Sequence, residues 1–211
     1  MGHGYEYAVA TPARIFPLSP ARSAGARAEL LARSDTPLGV ALRGEGAALG
    51  EVFAFLSSLY FRGKLSYALQ FGAAELPVPG ALVITPGHGL CRPSTRITAA
   101  DLTRIAEVEV DADNPNFVQP LIRDAQQLLR AAPAAAQIVL LGSIATPKYV
   151  KPLLSVLGER LLFPSEFVGR GDMSRGGLLL QAARQGQQLL CVPVQAALLT
   201  GKRARRLDQL P

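Results

Sequence analysis

The richest concentration of residues able to do chemistry is the segment Gly169-Arg170-Gly171-Asp172-Met173-Ser174-Arg175-Gly176-Gly177. Its glycines permit positive φ and close approach of backbone to a ligand. Ser174 is expected to cap a helix over residues 175–184, whose first N–H groups would face outward and suit an anion. Arg170 and Arg175 could each add bidentate contacts to a phosphate or carboxylate. The same residues would also serve a tight turn followed by a capped helix. The pattern lacks the Gly-Lys-Ser/Thr of a nucleotide P-loop, and Ser174 stands where a dinucleotide fingerprint needs its third glycine.

Two other segments repeat this logic. Gly142-Ser143-Ile144-Ala145-Thr146-Pro147-Lys148 reads as strand end, small residues and helix start. Ser143 and Lys148 are ligand candidates there, while Thr146 suits helix capping. Thr85-Pro86-Gly87-His88-Gly89-Leu90 carries His88, the one histidine away from the N-terminus. His88 and Asp172 are the candidate catalytic groups, one able to exchange a proton near neutral pH and the other a carboxylate. Asp111, Asp113 and Glu166 are further carboxylates that spacing alone does not select. Thr85, Gly87, Gly89, Gly171 and Ser19 complete the candidate ligand-binding set. In Ser58-Leu59-Tyr60-Phe61-Arg62-Gly63-Lys64, two basic residues fall inside an apolar helical pattern, where they must snorkel or pair with an acid. No metal-binding pattern such as H-E-x-x-H is present, so neither metal nor cofactor is expected.

These segments need a scaffold. Of 211 residues, 49% are hydrophobic and 18% charged, which supports one sizeable core and argues against disorder. The formal net charge of +6 and a pI near 9.7 favour anionic partners, among them nucleotides and nucleic acid. The two cysteines, Cys91 and Cys191, form no C-x-x-C pair and read as reduced thiols. No basic-then-apolar leader begins the chain and no apolar run reaches the roughly 18 residues of a membrane span. A cytoplasmic protein with no membrane partner is the expectation.

Short apolar runs alternate with helical periodicity, the pattern of an α/β domain. Strands are expected at 14–18, where Pro17 weakens the pattern, and at 81–84, 138–141, 161–163 and 189–194, with an edge strand at 108–110. Helices are expected at 24–32, 51–71, 117–131, 147–157 and 175–184. A short one should begin at Thr98, with Asp101 completing a capping box, and a helical turn near 37–42. Apolar runs without alternation imply parallel strands covered on both faces. The architecture expected is a single three-layer α/β/α domain with a mostly parallel central sheet, followed by a short basic tail over 200–211. Ligands of such folds sit outside the carboxyl ends of the strands.

Two of the segments resemble a family of small bacterial and phage α/β proteins of unknown function. The resemblance rests on a helix motif S-x-L-F-R…Y-A, here Ser58, Phe61, Arg62, Tyr67 and Ala68, and a strand motif I-L-S-A-K-H-G-L-x-x-P. The second is met by Val83-Ile84-Thr85-Pro86-Gly87-His88-Gly89-Leu90 and Pro93. It covers roughly residues 55–180. Gly87 replaces the family's lysine before the histidine, and Leu18-Ser19-Pro20-Ala21 stands where the family has a strand ending in Pro-Cys. A cysteine- or lysine-dependent activity at those places would therefore be missing. The layout is similar, more distantly, to domains associated with deazaguanine-modified tRNA that resemble uracil-DNA glycosylases. That resemblance implies a nucleobase-like ligand and a role for His88.

The reading that follows is a protein binding a nucleotide- or nucleobase-like anion, with action on an N-glycosidic bond as the enzymatic form of that reading. In it Arg170, Ser174 and Arg175 hold a phosphate, His88 or Asp172 positions water or stabilises the departing base, and Ser143 and Lys148 complete the pocket. Two alternatives stay open: a non-catalytic nucleic-acid-binding module, and a small-molecule-binding or structural subunit.

Overall fold

The computed structural model describes residues 12–57, 59–74 and 77–198. Ser58 and the basic tail lie outside the described residues.

The first strand, β1 (Arg14–Leu18), runs straight through Pro17 and sits in the middle of the sheet, not at its edge. It pairs in parallel with β3 (Ala81–Thr85) through Phe16, Pro17 and Leu18, and with β6 (Gln137–Val139) through Arg14 and Ile15. Pro17 accepts from the Leu141 N–H at 2.9 Å but has no N–H to return on that side. The regular ladder to β6 breaks there and resumes one residue on, where the Ser19 N–H donates to Leu141 O at 3.0 Å. The sheet continues with β4 (Gly89–Cys91), antiparallel to β3, and on the far side with β7 (Leu161–Pro164), parallel to β6. It closes with β8 (Cys191–Pro193), antiparallel to β7. The order is β4-β3-β1-β6-β7-β8. A separate pair joins β2 (Ala47–Ala48) to β5 (Arg96–Ile97).

Between β1 and β3 the chain forms α1 (Ala26–Arg33), α2 (Pro37–Arg43), α3 (Leu49–Ser57) and α4 (Leu59–Phe71). Helix over Leu49–Ser57 and Leu59–Phe71 covers the stretch expected over 51–71 on both sides of residue 58, which lies outside the described residues. The turn expected near 37–42 is a full helix, begun by Thr36, whose hydroxyl accepts from the Gly39 N–H, and by Pro37 in the first turn. Thr98 and Asp101 form the expected capping box at the start of α5 (Ala99–Glu107). Val108 to Val110 is loop rather than strand. Then come α6 (Pro115–Ala131), α7 (Pro147–Leu157) and α8 (Asp172–Gln185).

The protein is a three-layer α/β/α structure with a mostly parallel sheet. From β1 the chain crosses to β3 on one side, and from β6 it crosses to β7 on the other. Crossovers of one hand that leave in opposite directions place their helices on opposite faces. Accordingly α4 packs against α8 on one face and α6 against α7 on the other. Ile15, Phe16, Leu18, Val83, Ile138, Leu141 and Phe163 between the layers are fully buried.

The segment from Gly169 to Gly177 is only in part a turn. Gly171 is the N-cap of α8, so Ser174 lies within the helix and does not cap it. Gly176 faces Gly63 of α4 at backbone contact. A Cβ at Gly63 would lie 2.6 Å from Gly176 O, and one at Gly176 would lie 2.9 Å from Tyr60 Cα. Glycine at 63, unfavourable to an isolated helix by about 1 kcal/mol against alanine, is what lets the two helices touch. Gly63→Ala is therefore expected to lower stability by about 2 kcal/mol despite its better helix propensity. Chemical denaturation of both proteins checks the sign, and a stabilised variant would refute the packing account.

Candidate functional site

The connections leave the adjacent strands β1 and β6 in opposite directions, and outside the carboxyl ends of strands at such a reversal is where α/β folds place ligands. Ser19, next after β1, lies there with 5% exposure. Beside it is Gly142, beyond the end of β6. A Cβ on Gly142 would come within 2.9 Å of Ser19 Cβ and 3.2 Å of Ser19 Oγ, so only glycine fits against the serine side chain.

Lys64 reaches Ser19 from α4. The buried residues of that helix, Tyr60, Phe61, Lys64, Tyr67 and Ala68, follow the spacing of a helix's inner face, and Lys64 occupies its centre. It is 1% exposed. Its Nζ donates to Ser19 O at 2.7 Å and lies 2.8 Å from Ser19 Oγ, and it stands 4.4 Å from the centre of the Tyr60 ring. No carboxylate among the described residues forms an ion pair with it. Burial pulls its pKa down to about 7, and the more distant Asp172 offsets only part of that. Neither behaviour expected of a basic residue in this helix is seen: Lys64 does not snorkel to solvent and does not pair with an acid. Arg62, two residues earlier, is exposed.

Tyr60, beside the lysine, is in electrostatic range of a second tyrosine, Tyr149, and of Arg175. Tyr60 is 7% exposed, and its buried hydroxyl makes no hydrogen bond of good geometry among the described residues, though the Arg175 guanidinium lies near enough to act on it. Burial pushes its pKa up to about 12, with Arg175 pulling back and Asp172 adding to the rise. Tyr149 on α7, 6% exposed, is also raised by burial, then by Tyr60 and Asp172. Arg175 on α8 is 8% exposed and donates through Nε and Nη2 to Phe167 O at 3.2 and 3.1 Å. Its Nη1 lies 3.7 Å from Asp172, whose side chain is 68% exposed.

Of the residues expected from sequence, Ser19, Asp172 and Arg175 belong to this group. Ser143 lies next to Gly142, and its Oγ accepts from the Ala145 N–H at 3.3 Å. Lys148 sits near the start of α7 with Nζ 5.2 Å from the Tyr149 ring. Arg170 turns back on its own loop, donating to Glu166 O at 2.8 Å and to Ser174 Oγ at 3.1 Å. Gly171 lies open beside it.

The histidine turn follows β3, the strand that pairs with β1 on the side away from β6. Thr85 is buried and donates to Val83 O. Gly87 and Gly89 adopt φ of 78° and 83° to make the β3–β4 turn. Gly89 leaves room for Asp124, which accepts from the Leu90 N–H at 2.8 Å. The exposed His88 bonds through its own backbone to Thr85 O and Arg123. No hydrogen bond or ion pair joins it to the Ser19–Lys64 group among the described residues. An open groove of about 530 Å³ adjoins that turn, between Gly87, Val108, Asn116, Gln119 and Arg123.

Among the described residues, no three His, Cys, Asp or Glu side chains are grouped to hold a metal ion, and no helix is long and apolar enough to cross a membrane. Cys91 and Cys191 are free thiols. Comparison with protein-family models, curated proteins and solved structures finds no match to this chain.

Lys64 and Tyr60, which sequence reasoning noted only as members of the helix pattern, are the residues at the centre. The available signal was a lysine on the apolar stripe itself. Its burial has a consequence for stability. A lysine whose folded pKa is about 7, against about 10.4 when exposed, is protonated in the unfolded but not the folded chain between those values. Stability from this group is therefore lowest below pH 7 and rises as pH climbs towards 10. Thermal unfolding of wild type and Lys64→Met across pH 6 to 10 should show the difference between them shifting in favour of wild type with increasing pH. A pH-independent difference would mean that Lys64 stays charged in the folded protein.

Proposed function

We propose that the region beyond the carboxyl ends of β1 and β6 binds a small anionic ligand of nucleotide or nucleobase type. The observation that carries this reading is the buried Lys64 ammonium, hydrogen-bonded only to Ser19 and without an acidic partner. A buried cation lacking a counter-charge is costly, and an anion bound beside it removes that cost. Arg175 places a second cation in the same neighbourhood, and Asp172, its acidic neighbour among the described residues, faces solvent. The buried Tyr60 hydroxyl supplies a polar group suited to a ligand edge or a sugar hydroxyl. The net charge of +6 supports an anionic partner of any size.

Action on an N-glycosidic bond is the enzymatic form of this reading. Asp172 would face the sugar, where positive charge develops, and the ammonium would face the departing base or its phosphate. His88 lies on its own turn, so its part would be contact with a distal portion of a larger ligand.

Calorimetric titration with inorganic phosphate, nucleoside monophosphates and free bases tests the proposal. Binding to at least one of these should weaken about tenfold or more in Lys64→Met, the loss of one charge-assisted contact. It should also weaken as pH rises from 6 to 8, because Lys64 must be protonated to meet an anion. Absence of binding by every compound, together with salt-sensitive binding of oligonucleotides, would replace this reading with the nucleic-acid module.

A further inference from the structure

The lysine that would attract an anion when charged has a different capacity when neutral. Its Nζ lies 2.8 Å from Ser19 Oγ and 2.7 Å from Ser19 O. The carbonyl takes one N–H and fixes the amine, leaving the nitrogen lone pair of the neutral form to accept the serine proton. This is the relation of nucleophile to base, with the base oriented by a third group. The acceptor is buried, as is Ser19, so water competes poorly for the contact. Gly142, pressed against the serine side chain, has a backbone N–H that donates to no described residue. Such a donor beside a nucleophile suits a developing oxyanion.

We infer that Ser19 is a nucleophile and Lys64 its general base, forming a serine–lysine pair that cleaves activated acyl groups such as carboxylic esters. The Ser19 Oγ–H proton passes to the neutral Lys64 amine as Oγ bonds to the carbonyl carbon. The resulting oxyanion collapses, the bond from that carbon to the leaving alcohol breaks, and the alcohol oxygen takes the proton from the Lys64 ammonium. Water then attacks the acyl-serine by the same route, giving the carboxylic acid and restoring Ser19. The charged and titratable groups near Lys64 are Tyr60 on its own helix, Tyr149 on α7, and Asp172 and Arg175 on α8. A pKa near 7 leaves enough neutral amine for this task at physiological pH. The inference goes beyond the anionic-ligand reading and does not depend on it.

Treatment of the full chain with phenylmethanesulfonyl fluoride and with a fluorophosphonate, followed by intact mass measurement and peptide mapping, tests the pair. One adduct is expected, on Ser19, absent from Ser19→Ala. Its rate should rise roughly tenfold between pH 6 and 8, following the neutral fraction of a base with pKa near 7. Lys64→Met and Lys64→Arg should slow it by about a hundredfold or more, the usual contribution of a general base. No adduct on Ser19 between pH 6 and 9 overturns the inference, as does a Ser19 adduct whose rate ignores Lys64→Arg. Should both Lys64 variants fail to fold, the wild-type pH profile decides, and a flat one refutes the pair. Phosphate titration of Ser19→Ala separates the two proposals: retained binding leaves the anion site standing even where the nucleophile fails, and the reverse pH trends keep the two results apart.

Discussion

The Lys64 amine sits where solvent cannot reach, on the inner face of a helix, and its hydrogen-bond partners both belong to one serine. Burying an ammonium without a carboxylate disfavours its charged form strongly, so the side chain must relinquish its proton readily or be met by an anion from outside. Most of the local architecture bears on holding it there. The β1 strand ends at Leu18, and the Ser19 N–H is fixed on Leu141 O across the β1–β6 boundary. The Ser19 carbonyl and hydroxyl are left to turn towards α4. A shift in the pairing of β1 with β6 would move both acceptors away from Nζ.

The second constraint is the contact of α4 with α8. Two helices whose backbones meet at Gly63 and Gly176 approach more closely than side chains allow. That approach brings Arg175, the neighbour of Gly176, close enough to influence Tyr60 of α4. It also places Asp172, three residues earlier, within electrostatic range of Lys64. The glycine that sequence propensity penalises is thus tied to the position of the site. Gly142 acts in the same way on the sheet, giving up a side chain so that the backbone after β6 can lie against Ser19.

Much of this was legible in the sequence. Apolar runs without alternation marked β1, β3, β6 and β7, which pair in parallel, but not that β8 would run antiparallel or that β4 would form an edge. Thr98 with Asp101 announced a helix start that the structure contains. The three-layer arrangement followed from that alternation of elements. Other features depended on contacts between distant residues, which local pattern does not encode. The glycines at 169–177 looked like one phosphate-binding turn. Only the start of that segment is a turn, and Gly176 serves helix packing. His88 drew attention as a residue type rarely idle, yet its turn lies at β3–β4 while the buried cations gather at β1–β6. Lys64 was visible as a misfit on an apolar stripe, but nothing local indicated that Ser19, 45 positions earlier, would receive it.

What separates this cluster from an ordinary buried ion pair is the placement of its one carboxylate. A lysine retained for structure alone is expected to have an acid within contact distance, since the pair then neutralises itself and needs nothing further. Asp172 instead lies at the mouth of the cluster, 68% exposed and 3.7 Å from Arg175, so water screens much of its charge. The interior therefore holds an amine whose charged form burial disfavours, a guanidinium committed to the Phe167 carbonyl, and a buried phenol beside that guanidinium. On the reading proposed above, an oxygen-rich group entering beyond the strand ends would satisfy the amine and the phenol. A self-sufficient core has no reason to leave that demand open, and the carboxyl ends of parallel strands at a reversal of crossover direction are where α/β folds admit such a group.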